Sequence, residues 1–232
     1  MKIEIWSDVV CPWCYIGKRR MESALEGLDE EVEITWRSFE LDPTTPKVLE
    51  TSVAEILAKK YRMSPERVAE MTETVRKAGE EEGITFAFDV ARSGNTFDAH
   101  RLIHRAQEHG LGDAMKERLL LAYFSEGKLV SDHDTLVALG EEVGLEADDA
   151  RAALTDDATA KAVRADEQAA RTMGISGVPF FVLDGKYGVS GAQSKEVFEQ
   201  VIAQVVAERG PIQVVAGGQQ CDDDGCAVPA ER

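Results

Sequence analysis

A chain of 232 residues, 44% of them apolar and 30% charged, is long enough to bury a sizeable core and polar enough to stay in solution. Its 43 acidic residues outnumber 26 basic ones, for a formal net charge of −17. That balance argues against nucleic acid or an anionic membrane surface as a partner, since both demand clustered Lys and Arg. No apolar run approaches the roughly 18–20 residues that cross a bilayer. The segment from Met1 to Asp8 also carries charges where a secretion signal needs an apolar stretch, so the expected compartment is the cytoplasm.

Residues 2–7 alternate, with Ile3 and Ile5 set against Lys2, Glu4 and Trp6, and read as a short strand that Val9 and Val10 carry on to Cys11. Pro12 follows at the first helical position, where its missing N–H costs nothing. Ile16, Met21, Ala24, Leu25 and Leu28 continue at helical spacing. Val32, Ile34 and Trp36 alternate again as a second strand ending near Phe39, so the chain opens as strand–CxxC–helix–strand, a βαβ unit.

From Asp42 to Met173 the pattern is helical. Ser52 with Glu55 has the spacing of a capping box, and Ser64-Pro65 reads as a cap followed by a first-turn proline. Asn95-Thr96 precedes a periodic run through Leu102, Ile103 and Ala106, and Leu119, Leu120, Tyr123 and Phe124 form another apolar stripe. Further helices are expected over 133–143, 146–154 and 157–173. The β pattern then returns: Val178 to Leu183 as a strand, Asp184-Gly185 as a hairpin turn, and Lys186 to Ser190 as its partner. A last amphipathic helix spans 194–208, and Ala216 to Gln220 reads as a linker. The expected class is α/β: a sheet domain of residues 1–41 and 174–209, a large inserted helical domain at 42–173, and a C-terminal tail at 210–232.

The four cysteines fall into two local pairs, Cys11/Cys14 and Cys221/Cys226. A secreted scaffold spreads its cysteines to staple distant segments, so local pairs point to redox chemistry or metal binding. The nucleophile of disulfide exchange is the thiolate, and a helix start stabilises it through free N–H groups and the helix dipole. Cys11 stands at such a start and is expected to have a depressed pKa, with Cys14 one turn on to resolve a mixed disulfide. The competing reading makes the four cysteines a structural zinc site. Zinc pairs of this kind usually sit on turns, whereas this pair opens a helix after a strand. His100 and His104, four apart on one helix face, suit either a metal or a cleft wall; no metal site is assigned to them.

Ser7 to Gly17 with its Cys11-Pro12-Trp13-Cys14 core, Gly177 to Phe181, and Val189 to Gln193 resemble the DsbA-type thioredoxin superfamily. Within it the chain is most similar to the FrnE-like group, which Phe39 to Pro43, Asn95-Thr96 and Ala99 to Arg101 also fit. The resemblance spans residues 2–208 and implies a thioredoxin fold with an inserted helical domain. It implies a disulfide oxidase, reductase or isomerase acting through Cys11 and Cys14. Pro12 and Trp13 complete the active-site motif, and Val178 and Pro179 form a cis-proline loop that offers backbone to a substrate chain. Thiol-bearing proteins or peptides are the implied substrates. No resident cofactor is expected, and glutathione is a candidate redox partner. The chain departs from the pattern at Ile5, where thioredoxins carry a buried acid; Asp8 or Glu40 is the candidate replacement, with His100 in the same cleft. Relatives in the superfamily that are glutathione-dependent isomerases or transferases usually have serine at the position of Cys11, which makes that activity the alternative.

Cys221 and Cys226 enclose Asp222, Asp223 and Asp224. The carboxylates should raise the thiol pKa values, and high-pKa dithiols hold their disulfide firmly. The tail pair is therefore expected to be either a second redox pair donating electrons to the first or a local staple.

Overall fold

The computed structural model describes residues 1–209, so Cys221 and Cys226 lie outside the described residues. In chain order the elements are β1 (Lys2–Ser7), α1 (Pro12–Leu25), β2 (Glu33–Ser38), α2 (Val53–Tyr61), α3 (Pro65–Glu81), α4 (Phe97–Glu108) and α5 (Gly112–Phe124). They continue as α6 (His133–Glu142), α7 (Ala147–Ala153), α8 (Asp157–Thr172), β3 (Phe180–Leu183), β4 (Tyr187–Ser190) and α9 (Lys195–Glu208). The strands form one mixed sheet in the order β2-β1-β3-β4. β1 runs parallel to β2, with Ile5 opposite Trp36, and antiparallel to β3, with Ile5 opposite Phe181. β3 and β4 form the expected hairpin, and Asp184 and Gly185 both take positive φ, 50° and 67°, as a tight turn of this kind requires.

Both faces of the sheet are buried. Ile3, Ile5, Trp36, Phe181 and Leu183 join the main core with Ile16 and Met21 of α1 and Phe198, Ile202 and Val205 of α9. The opposite face presents Trp6 and Val182 to Ala170 of α8 and Ile175. The alternation places Trp6 on the polar side of β1, yet it is buried because α8 covers that face, and its indole Nε1 donates to the Asp166 carbonyl at 3.0 Å. The first strand also stops sooner than its sequence suggests. Val9 and Val10 form a turn rather than more strand, and Cys11 N–H bonds back to the Asp8 carbonyl at 3.4 Å. The turn takes the chain off the end of β1 and into α1.

Helices α2–α8 stand between β2 and β3 in the chain, and the main core continues from the sheet into α3, α4, α5, α6 and α7. α4, α5 and α8 pack against β2. Asp166 of α8 ties that contact, accepting from Ser38 N–H at 2.9 Å and Arg37 Nη1 at 3.0 Å. The anticipated caps form: Ser52 and Glu55 close a capping box on α2, and Ser64 accepts from Arg67 N–H on α3, each worth about 1 kcal/mol. No helix is long and apolar enough to cross a membrane among the described residues.

Candidate active site

Cys11 is the N-cap of α1 and Pro12 its first residue, with no side-chain cap hydrogen bond there. The positive end of the helix dipole is therefore left to the sulfurs. Cys14 N–H bonds the Cys11 carbonyl at 3.0 Å, closing the first turn with both thiols on one side. Both cysteines are reduced and buried. They differ in access: Cys11 lines a cavity of about 330 Å³, whereas Cys14 does not and lies behind it. Pro12 and Val178 share that wall, and Trp13, 39% exposed, stands at its mouth.

The loop before β3 completes the site from the other side. The Val178–Pro179 peptide bond is cis, and the Cys11 thiol donates to the Val178 carbonyl at 3.6 Å. α1 reaches this loop because position 17 is glycine. A Cβ there would stand 3.0 Å from Pro179 Cγ and 3.2 Å from Phe181 Cζ, closer than ordinary packing allows.

Beneath the sulfurs lies a buried group of charges. Lys116 of α5 is 1% exposed, and its ammonium sits 5.4 Å from the centre of the Trp36 ring. Burial pushes its pKa down to about 8, against the opposing pull of Cys14, Asp8 and Cys11. Asp8 is equally buried; its carboxylate pairs with His100 Nε2 at 3.3 Å and accepts Leu41 N–H at 2.7 Å. Burial works against its charge, yet His100, the Leu41 N–H and Lys116 outweigh that and hold the carboxyl below its usual range. His100 is lowered by its own burial, with Asp8 opposing. At neutral pH the group is thus a carboxylate, a neutral imidazole and an ammonium. Ser7 Oγ is buried with no hydrogen-bond partner among the described residues, and the Cys14 sulfur is the group beside it.

These neighbours overturn the expectation that Cys11 has the depressed pKa: Cys11 is raised and Cys14 is lowered. The two thiols hydrogen-bond to each other and titrate as one system. Burial opposes ionisation at Cys14, but the hydrogen bond from Cys11, the Lys116 charge and the Ser7 hydroxyl draw its pKa below the ordinary value. Cys11 is pushed well up by that same hydrogen bond, by burial and by the charge at Cys14. A first proton therefore leaves easily and a second does not. The easier ionisation belongs to the pair and is drawn toward Cys14 by the hydrogen bond from Cys11 and by the Lys116 charge.

Of the candidate acids, Asp8 and His100 come together under the cysteines and Glu40 does not. The Glu40 carboxylate turns to α8, where Arg164 Nη1 donates at 2.6 Å, and it also accepts from Asn95 Nδ2 at 3.1 Å. Burial, together with the neighbouring Glu167 carboxylate and against Arg164, raises it to about 7. His100 and His104 also part company: His104 Nε2 faces Asp166 at 3.0 Å while His100 faces Asp8. Among the described residues, no three His, Cys, Asp or Glu side chains gather as a metal site. Sequence reasoning missed Lys116, although a signal was there: it sits in the apolar stripe of Met115, Leu119, Leu120 and Tyr123, where a lysine is out of place.

The DSBA-like thioredoxin domain family matches residues 2–203 of this chain. The protein belongs to that family. It is 31% identical over 206 residues to the Bacillus subtilis (strain 168) protein YwbO, covering 87% of this chain and 95% of that one. A probable DsbA oxidoreductase from Streptomyces coelicolor is 43% identical, with a TM-score of 0.86 over 99% of this chain and all (100%) of that one. The cytosolic disulfide reductase DsbM from Pseudomonas aeruginosa shares the fold at 17% identity, with a TM-score of 0.64 over 90% of this chain and 100% of that one. The DsbA-type resemblance and the α/β thioredoxin fold expected from the sequence both stand, and the family's character is that of oxidoreductases.

Proposed function

We propose that this protein is a thiol-disulfide oxidoreductase that cycles the Cys11–Cys14 pair between dithiol and disulfide. The observation that carries the reading is the asymmetry of the pair: Cys11 opens onto the cavity while Cys14 lies behind it, beside a buried lysine. In the reducing direction, the shared proton passes to Cys14 and the Cys11 thiolate attacks one sulfur of a substrate disulfide. A Cys11–substrate disulfide forms and one substrate thiolate leaves. Cys14 gives its proton to that thiolate and attacks the Cys11 sulfur, forming the Cys11–Cys14 disulfide and releasing the second thiolate. Two electrons pass from protein to substrate, and oxidation runs the same steps in reverse. The Val178 carbonyl and Pro179 border the reacting sulfur and would hold substrate backbone there. Lys116 stabilises the thiolate without touching substrate.

Thiol-bearing proteins, peptides and small molecules are the substrate range, the cytoplasm is the compartment and glutathione is a candidate redox partner only; each belongs to this proposal. The reading is tested by trapping. Cys14→Ser should accumulate a mixed disulfide through Cys11 that mass spectrometry identifies, and Cys11→Ser should trap none. Preferential capture through Cys14 would reverse the assignment, and capture through neither would end it.

A further inference from the structure

The cavity at Cys11 is more specific than disulfide exchange requires. Its walls include Val53, Ile56 and Leu57 of α2 and Met71 and Val75 of α3, with Phe88 beyond. Its charged liners among the described residues are Asp8, Asp42 and Lys60, and Asp8 is already committed to His100 and Leu41. A site for glutathione, whose carboxylates outnumber its ammonium, needs a cationic clamp; this one carries more acid than base. A volume of about 330 Å³ with mostly apolar walls and a few polar groups is instead in the range of pockets that enclose a small apolar ligand.

α2 supplies a second, independent reason. None of its nine residues is buried, although a helix this short is marginal unless packing supports it. Its capping box and left-handed C-cap at Arg62 set where it begins and ends, yet Val53, Ile56 and Leu57 point into the cavity half-buried. An apolar occupant would complete the burial that these side chains lack.

We propose that the cavity binds the apolar body of a small neutral thiol or disulfide, seated between α2 and α3 with its sulfur at Cys11. The proposal rests on the oxidoreductase reading and names the substrate class of the same site. The chemistry is the exchange already written: substrate disulfide plus the protein dithiol gives two substrate thiols and the Cys11–Cys14 disulfide, with no further reactant.

The test is a single-turnover oxidation of the reduced full-length protein by three disulfides. They are bis(2-naphthylmethyl) disulfide, glutathione disulfide and an extended peptide carrying an intermolecular disulfide. Each rate is divided by the rate of the same disulfide with 2-mercaptoethanol, which removes intrinsic reactivity. The naphthylmethyl compound should saturate and exceed both others by about tenfold or more, as burial of a bicyclic group implies. Ile56→Ser/Leu57→Ser should reduce that preference severalfold. It changes only half-buried α2 positions, and circular dichroism checks the fold. Lys59→Ala, exposed and outside the cavity, should leave the preference in place. Equal normalised rates, a preference for the peptide, or a preference that survives the double substitution would each overturn the proposal while leaving the oxidoreductase reading standing. Failure of all three disulfides to oxidise the pair would overturn that reading instead.

Discussion

Lys116 shows how one residue sets the chemistry of its neighbours. An ammonium buried to 1% exposure costs several kcal/mol in lost hydration unless opposite charges face it. Asp8 and the thiolate of the cysteine pair supply them, so the lysine and the thiolate stabilise each other. Lys116→Met keeps length and apolar volume but removes the charge. The first ionisation of the pair should then move up by on the order of one pH unit. The measurement is the pH profile of iodoacetamide alkylation, read residue by residue by mass spectrometry. Folding stability should fall, because removing one partner leaves the buried Asp8 carboxylate and the thiolate without their ammonium. An unshifted profile in a folded variant would show that Lys116 fills space and nothing more.

At the scale of elements, the site depends on how closely α1 approaches the loop before β3. Gly17 permits that approach, and its absent Cβ leaves room for Pro179 and Phe181. Gly17→Ala sets two effects against each other. Alanine gains about 1 kcal/mol of helix propensity, while overpacking against a ring and an aromatic side chain costs roughly 1–3 kcal/mol. Phe181 lies fully buried against Phe198 with ring centroids 4.8 Å apart, so it has little room to retreat. The net result should be a destabilisation on the order of 1 kcal/mol, measured by urea unfolding, together with slower exchange as Cys11 and Val178 are forced apart. A stabilised variant of undiminished activity would show that the loop moves freely.

At the scale of the whole molecule, stability and redox state are linked. The reduced protein gains stability from a thiolate whose folded pKa is lowered, as Cys14's is. A group of this kind contributes fully above its unfolded pKa, and its contribution is lost as pH falls through the folded value. The disulfide form has no such group. The advantage of the reduced over the oxidised protein should therefore increase from pH 5 to 7, with the pair a correspondingly better oxidant, while the raised Cys11 pKa works against it at alkaline pH. Paired urea unfolding curves at pH 5, 7 and 8.5 measure this. An advantage that stays flat or shrinks between pH 5 and 7 would mean that the thiolate is not stabilised by the fold.

Local signals carried much of this protein. The alternation around Ile3 and Ile5, Pro12 after Cys11, the Ser52 and Ser64 caps and the Asp184-Gly185 turn each depend on neighbours within a few residues, and each formed, although β1 ends at Ser7 and not beyond Val9 and Val10. The cysteine pair at a helix start was legible for the same reason. What the sequence could not decide were contacts between segments distant along the chain. Trp6 is buried because α8 arrives from far down the chain to cover it. Asp8 rather than Glu40 lies under the cysteines because α4 brings His100 to one carboxylate while Arg164 of α8 and Asn95 take the other. The thiolate is drawn toward Cys14 because α5 delivers Lys116 there. Charges act through space at short range in a medium of low dielectric, so which of them meet is settled by tertiary packing, while spacing along the chain settles only the elements that carry them.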